Sequence, residues 1–319
     1  MKLQNLQAIN KIALVVSDVH CQETSAFPAQ YASRMKELWQ FQNTLAAGRI
    51  SGNWRDVFVA QYRRFLREDD ADSYPVADIK YRDPPQPQRG LRIIMTNTWR
   101  LRMYRANSSQ LQENDKRYRE VIDRQARNIP HCEGVEDCLD YVCELWRTDF
   151  RTGIVAWKQR KEFMQSFDQL NNSPGSEELA FLKLPHITDS ALLPVVDEVL
   201  RGMDTEVTLR RWSELLDKDP IGPCPSIRIR TAFEAELLWT YYKGKRNNPK
   251  EFRKNFGWSR QNDIAHVSAF IPYVNALTTD KDMHNLCIRK TTAVEIGRFS
   301  GRIFSSKNYP EFEDWLDAL

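Results

Sequence analysis

Nothing in the 319 residues approaches the run of about 18 apolar side chains that a membrane-spanning helix needs. The longest apolar stretch near the start, Ile12 to Val16, is too short for the hydrophobic part of a secretory leader and ends in Ser17-Asp18. The expectation is a cytoplasmic protein with no membrane partner. Charge of one sign is also missing: 46 Lys and Arg against 43 Asp and Glu leave a net charge of +3. Global charge therefore selects neither for nor against nucleic acid, and only local clusters carry weight. The arginines of the middle of the chain, Arg92, Arg100, Arg102, Arg105, Arg117 and Arg119, read as solvated helix faces. Among the six cysteines there is no Cys-x-x-Cys pair. His131, Cys132, Cys138 and Cys143 lie close in sequence, but a structural zinc site brings together two short ligand pairs across a longer loop. With Val135, Leu139 and Val142 between them, they read as reduced thiols in a helical core, which fits a reducing compartment. No internal repeat and no low-complexity tract is present.

What remains is a composition, 41% hydrophobic and 28% charged, that suits a globular chain with a sizeable core. Leu3, Leu6 and Ile9 share a helical face, and Lys11 to Ser17 reads as a short buried strand. Helices are predicted after Pro28 as far as Gly48, and again over 54–66. Asp69, Asp70 and Asp72 with Pro75, Pro84, Pro85 and Pro87 make 68–90 irregular. Helical patterning returns over 91–170, 177–183, 188–202, 206–217 and 227–245, the last closed by a basic loop from Lys243 to Pro249. The final seventy residues alternate: a helix at 262–271, a strand at 276–279, a helix from Lys281, a strand near Ile303-Phe304 and a helix from Pro310. That alternation predicts parallel-sheet construction. The fold class expected is α/β with predominant helix, a parallel sheet built from the two ends of the chain and a large all-helical insertion. The divisions are 1–66, 67–224 and 225–319, with the insertion packed continuously against the sheet because no flexible linker isolates it.

One segment carries chemistry. Asp263 is placed in the first turn of its helix, where the dipole favours an anion, and Ile264, Val267, Ser268 and Ile271 form the inward face. Asp280 follows the strand ending at Thr279. The carboxyl end of a parallel strand is where open α/β sheets place ligand sites. Two carboxylates so placed can meet over one sheet edge.

Asp263, His266 and Ala269, in an Asp-x-x-His-x-x-Ala spacing, followed by Thr278-Thr-Asp-Lys281, resemble the C-terminal half of the PIN domain family. Val15 to Thr24 resembles the family's earlier acidic element, with Glu23 at the matching position and Arg34 and Leu38 on the helix that follows. The resemblance covers about residues 1–60 and 225–319. It implies a PIN-like fold and a metal-dependent ribonuclease, a toxin or defence effector with a neutralising protein partner. Glu23, Asp263 and Asp280 would be catalytic metal ligands, and His266 a structural residue beneath them. Clustered carboxylates repel one another unless a divalent ion neutralises them, and oxygen donors favour hard ions, so Mg²⁺ or Mn²⁺ is expected. Lys281, Lys243, Lys245 and Arg246 are the candidate phosphate contacts on RNA. The sequence departs from the family in one respect: it opens inside the helix after the family's first strand, which carries the first essential Asp. The alternatives are a chain that continues upstream and a catalytically degenerate fold that serves as an RNA-binding or protein-interaction module. Asp18 and Asp282 are partial replacements off the family's pattern. His20 with Cys21 does not make a nucleophile pair, since adjacent residues at a strand end point apart.

Overall fold

The computed structural model describes residues 54–66, 132–171, 192–219, 221, 224–247 and 258–319, with a few positions before residue 52. The described residues are mostly helical, with short parallel strand pairs. At the start, β1 (Val16–Ser17) pairs in parallel with β2 (Ile50–Ser51). Five helices then lead into the C-terminal region: α1 (Trp54–Leu66), α2 (Val135–Asn171), α3 (Leu193–Leu200), α4 (Thr205–Lys218) and α5 (Pro225–Asn247). After α6 (Trp258–Phe270) and a 3₁₀ turn at Ile271–Tyr273 come β3 (Ala276–Thr278), α7 (Lys281–Cys287), α8 (Lys290–Ile296), β4 (Arg302–Phe304) and α9 (Tyr309–Asp317). Strands β3 and β4 pair in parallel, Ala276 opposite Arg302 and Thr278 opposite Phe304. Among the described residues the two strand pairs are separate sheets rather than one sheet joining both ends. No helix among them is long and apolar enough to cross a membrane.

Helix α5 organises the molecule. A helix that is apolar on every side has to be buried, and α5 has Ile227, Ala235 and Leu238 in one core and Ile229, Phe233, Leu237 and Tyr241 in another. The first core receives α1 to α4. Along α2, Cys138, Val142, Trp146, Phe150 and Ile154 are buried at every fourth position, a stripe that follows one side of the helix. Phe58 stacks on Phe150 at 5.8 Å, and Tyr62, Phe150 and Trp212 meet at 5.1 to 5.9 Å. These ring contacts add to the roughly 1.5–3 kcal/mol that each fully buried large apolar side chain contributes. The second core holds Ile264, Val267 and Ile271 from α6 and its turn, with Met283, Leu286 and Cys287 from α7. Helices α2 to α4 pack with α1 and α5 in the first core.

The junctions are specific as well as apolar. Buried Gln61 of α1 donates to Ser226 Oγ (2.8 Å) and Tyr273 Oη (2.6 Å) and accepts from the Ser226 amide (3.2 Å). Arg230 of α5 lies over the rings of Trp54 and Trp146 and pairs with Glu234, which also accepts from Trp146 Nε1. Helix α4 is capped by Asp204, whose carboxylate accepts from the amides of Glu206 and Val207, as an N-cap aspartate does. Helix α3 begins at Leu193 with Pro194 in its first turn, a residue that suits a helix start; residues 188–191 of the predicted helix lie outside the described residues. The basic segment predicted as a loop is helical instead: α5 runs on through Lys243, Lys245 and Arg246 to Asn247. Lys and Arg are good helix formers and suit a helix C-terminus, which outweighs the cost of Gly244.

Candidate functional site

Strand β3 ends at Thr278, and two residues later Asp280 caps α7. Its backbone is extended, at φ −70° and ψ 167°, and its Oδ1 accepts the Met283 amide at 2.6 Å. The strand is held in register with β4 at both ends: the Thr279 amide donates to Phe304 O (2.8 Å) and the Arg302 amide to Asn275 O (3.0 Å). Asp280 thus stands at the carboxyl end of a parallel strand and at the head of a helix. Met283, in the first turn of α7, is fully buried in the second core and anchors that turn.

Helix α6 packs on α7. It starts at Trp258, earlier than its predicted start, so Asp263 lies in the second turn and not the first. The end-of-helix dipole falls off within one turn and is not what places this carboxylate. Asp263 is half-buried. His266, one turn further on, rests against the Phe270 ring at 4.9 Å.

Between the carboxylates of α7 and the body of α6 lies a residue that the sequence reading passed over, Arg260. Its Nη1 is 3.8 Å from Asp280 Oδ1 and its Nη2 is 3.6 Å from Asp282 Oδ2. The Arg260 side chain is 17% exposed, against 59% for Asp280 and 75% for Asp282. The cation is covered while its anions face water, so these pairs are screened and each is worth about 0–1 kcal/mol. A signal for Arg260 was available: it lies three residues before Asp263, hence on the same side of the helix. Close to Asp280 and Arg260, burial pushes the Cys287 thiol up to about 12; Asp280 raises it further and Arg260 opposes.

The other expected site residues are dispersed or undescribed. Lys281 is exposed in the first turn of α7, beside Asp280. Lys243, on α5, has its ammonium 4.5 Å from the centre of the Trp239 ring, and that ring stacks on Tyr242. Lys245 and Arg246 are placed by backbone only, and Glu23, Asp18, His20 and Cys21 lie outside the described residues. Among the described residues no three His, Cys, Asp or Glu side chains converge closely enough to hold a metal ion.

Comparison with known proteins adds nothing to this geometry. No family model, curated protein or solved structure matches the chain. The site stands on its own chemistry.

Two further groups of polar residues are structural. Cys132 and Cys138 are buried and unbridged, and burial pushes the Cys138 thiol up to about 12 and the Cys143 thiol to about 11. Buried Glu236 accepts the Thr291 amide (3.1 Å) and lies 3.9 Å from Arg289, tying α5 to the start of α8.

The donor set expected at the strand end, carboxylate oxygens alone, suits a hard divalent cation. Of that set, Asp263 and Asp280 lie on two helices that pack together, α6 and α7.

Proposed function

We propose that this chain is a PIN-like protein that hydrolyses RNA phosphodiester bonds at the end of strand β3, with Mg²⁺ or Mn²⁺ as cofactor. The observation that carries this reading is the position of Asp280 where a parallel strand ends and a helix begins, on a helix packed against the one bearing Asp263. Asp263, Asp280 and Glu23 would hold the ion. When bound, it supplies charge neutralisation and a polarised water. The residues of the chain do the rest. Met283 holds the Asp280 carboxylate by one oxygen, and a carboxylate with about four lone-pair sites keeps capacity for more. Lys281 at the head of α7 is the nearest candidate for a backbone phosphate. Lys243, Lys245 and Arg246 at the end of α5 form a second basic group, and the stacked Trp239 and Tyr242 offer flat faces of the kind that single-stranded bases stack on. The biological setting that suits such an enzyme is a toxin or defence ribonuclease restrained by a protein partner.

A second reading is favoured by Arg260. Its guanidinium already offsets the charge of Asp280 and Asp282, as expected of a degenerate PIN-like fold that binds RNA or protein without cutting.

Cleavage of labelled single-stranded and structured RNA by the purified chain, in Mn²⁺, Mg²⁺ or EDTA, separates the two. Metal-dependent cutting abolished in both Asp263→Asn and Asp280→Asn is the expected result. A folded protein that cuts nothing under any of these conditions rules out the enzyme and leaves the binding module.

A further inference from the structure

Helix α9 divides its rings from its charges. Tyr309, Phe312, Trp315 and Leu316 recur at helical spacings and share one face. Glu311, Glu313, Asp314 and Asp317 take the remaining surface, and no Lys or Arg interrupts them. At about 100° of turn per residue, Glu313 borders Tyr309 and Glu311 borders Trp315. The lysine just before the helix, Lys307, donates instead to Asn285 Oδ1 on α7, at 2.8 Å.

The apolar face is only partly covered. Leu316 is buried, and buried Phe304 of β4 meets Phe312 at 5.0 Å and Trp315 at 5.8 Å. Phe312 and Trp315 lie nearly parallel, 6.1 Å apart, and stay half-buried. Tyr309, 6.2 Å from Phe312, is 53% exposed. A row of rings edged by carboxylates suits one kind of ligand. The negative face of an aromatic ring attracts a cation, most often a guanidinium. The same planar group forks onto a carboxylate. Carboxylates along both edges repel phosphate, so this face disfavours RNA.

We propose that the aromatic face of α9 is a docking surface for an arginine-bearing basic segment of a partner protein. Guanidinium groups lie on the Tyr309 and Trp315 rings and pair with Glu311 and Glu313. Charge complementarity selects this occupant. The surface uses none of the residues of the Asp280 site, and its occupation does not depend on RNA cleavage.

The test is fluorescence anisotropy at low salt, with the full chain and a labelled peptide of alternating arginine and glycine. Tyr309→Ala is expected to weaken binding about two- to fivefold, the loss of one exposed cation–ring contact. Glu311→Gln with Glu313→Gln should weaken it as well. The control, Glu206→Gln with Glu214→Gln on exposed positions of α4, should leave it unchanged, with circular dichroism confirming the fold of each variant. Should Tyr309→Ala fail to fold, Tyr309→Leu, which keeps an apolar side chain and loses the ring, has to show the same weakening. No peptide binding, binding indifferent to the α9 variants, or equal weakening by the α4 control overturns the docking surface. Labelled single-stranded RNA that binds the unaltered chain and is released by Tyr309→Ala also overturns it, in favour of a nucleic-acid face.

Discussion

Replacing Asp280 by asparagine keeps an oxygen able to accept the Met283 amide at the head of α7, whereas alanine removes it. Asparagine and aspartate are about equal as N-caps, and loss of a cap to alanine costs about 0.5–2 kcal/mol. Asp280→Asn should therefore unfold in denaturant close to the unaltered protein, and Asp280→Ala should lose about 1 kcal/mol. Equal losses in both variants would mean that the charge, through Arg260, matters more than the cap. The same pair of variants separates chemistry from folding in the cleavage assay, because asparagine removes the anion and keeps the helix start. Arg260 shows what a residue-by-residue reading of sequence misses. The carboxylates of this segment stand out by type and spacing, but an arginine one turn before Asp263 looks like any solvated charge. Only the packing of α6 on α7 brings it to Asp280 and Asp282.

At the scale of elements, Gly301 is the residue that lets β4 begin. A Cβ there would lie 2.6 Å from Ile271 O and 2.7 Å from Val274 O. Both are backbone atoms of the turn that leads into β3, so neither moves without shifting the strand. Gly301→Ala should cost on the order of 1–3 kcal/mol, as overpacking does, read as a lower denaturant midpoint. A midpoint unchanged from the parent would show that the turn between α6 and β3 yields freely. The longer elements were legible in the sequence: α1 over 54–66, α4 and α5 within two residues at each end, and β3 and β4 as short strands near a helix. Their apolar spacing spans several turns or is bounded by clear stops. Strand β2 was not legible, because two residues cannot show an alternating pattern. The start of α6 was misplaced for another reason: its first turn, Trp258 to Gln261, is not set off by a capping signal in the sequence. The sequence offered Asp263 and Asp280 as candidate carboxylates, and it did not show the pairing of Asp280 and Asp282 with Arg260. Glu23, the third expected carboxylate, lies outside the described residues.

At the scale of the molecule, α5 is a wall shared by two cores, so neither side is expected to melt alone. Phe150 is fully buried among Phe58, Tyr62, Trp146 and Trp212. Phe150→Ala should cost about 3–5 kcal/mol, and the loss should appear in the C-terminal region as well. Hydrogen exchange checks this: amides of α7 and α8 should lose protection together with those of α2. Protection of α7 and α8 that outlasts α2 would show that the second core stands alone. The contacts of α1 also bear on how the chain is made. Gln61 of α1 binds Ser226 of α5 at a separation of 165 positions along the sequence. At synthesis rates of about 5–20 residues per second, α1 leaves the ribosome on the order of ten to thirty seconds before that partner exists. Over that interval, among the described residues, α2, α3 and α4 are there to cover Phe58 and Tyr62, so the order in which the helices emerge makes the middle of the chain a cotranslational shield for α1.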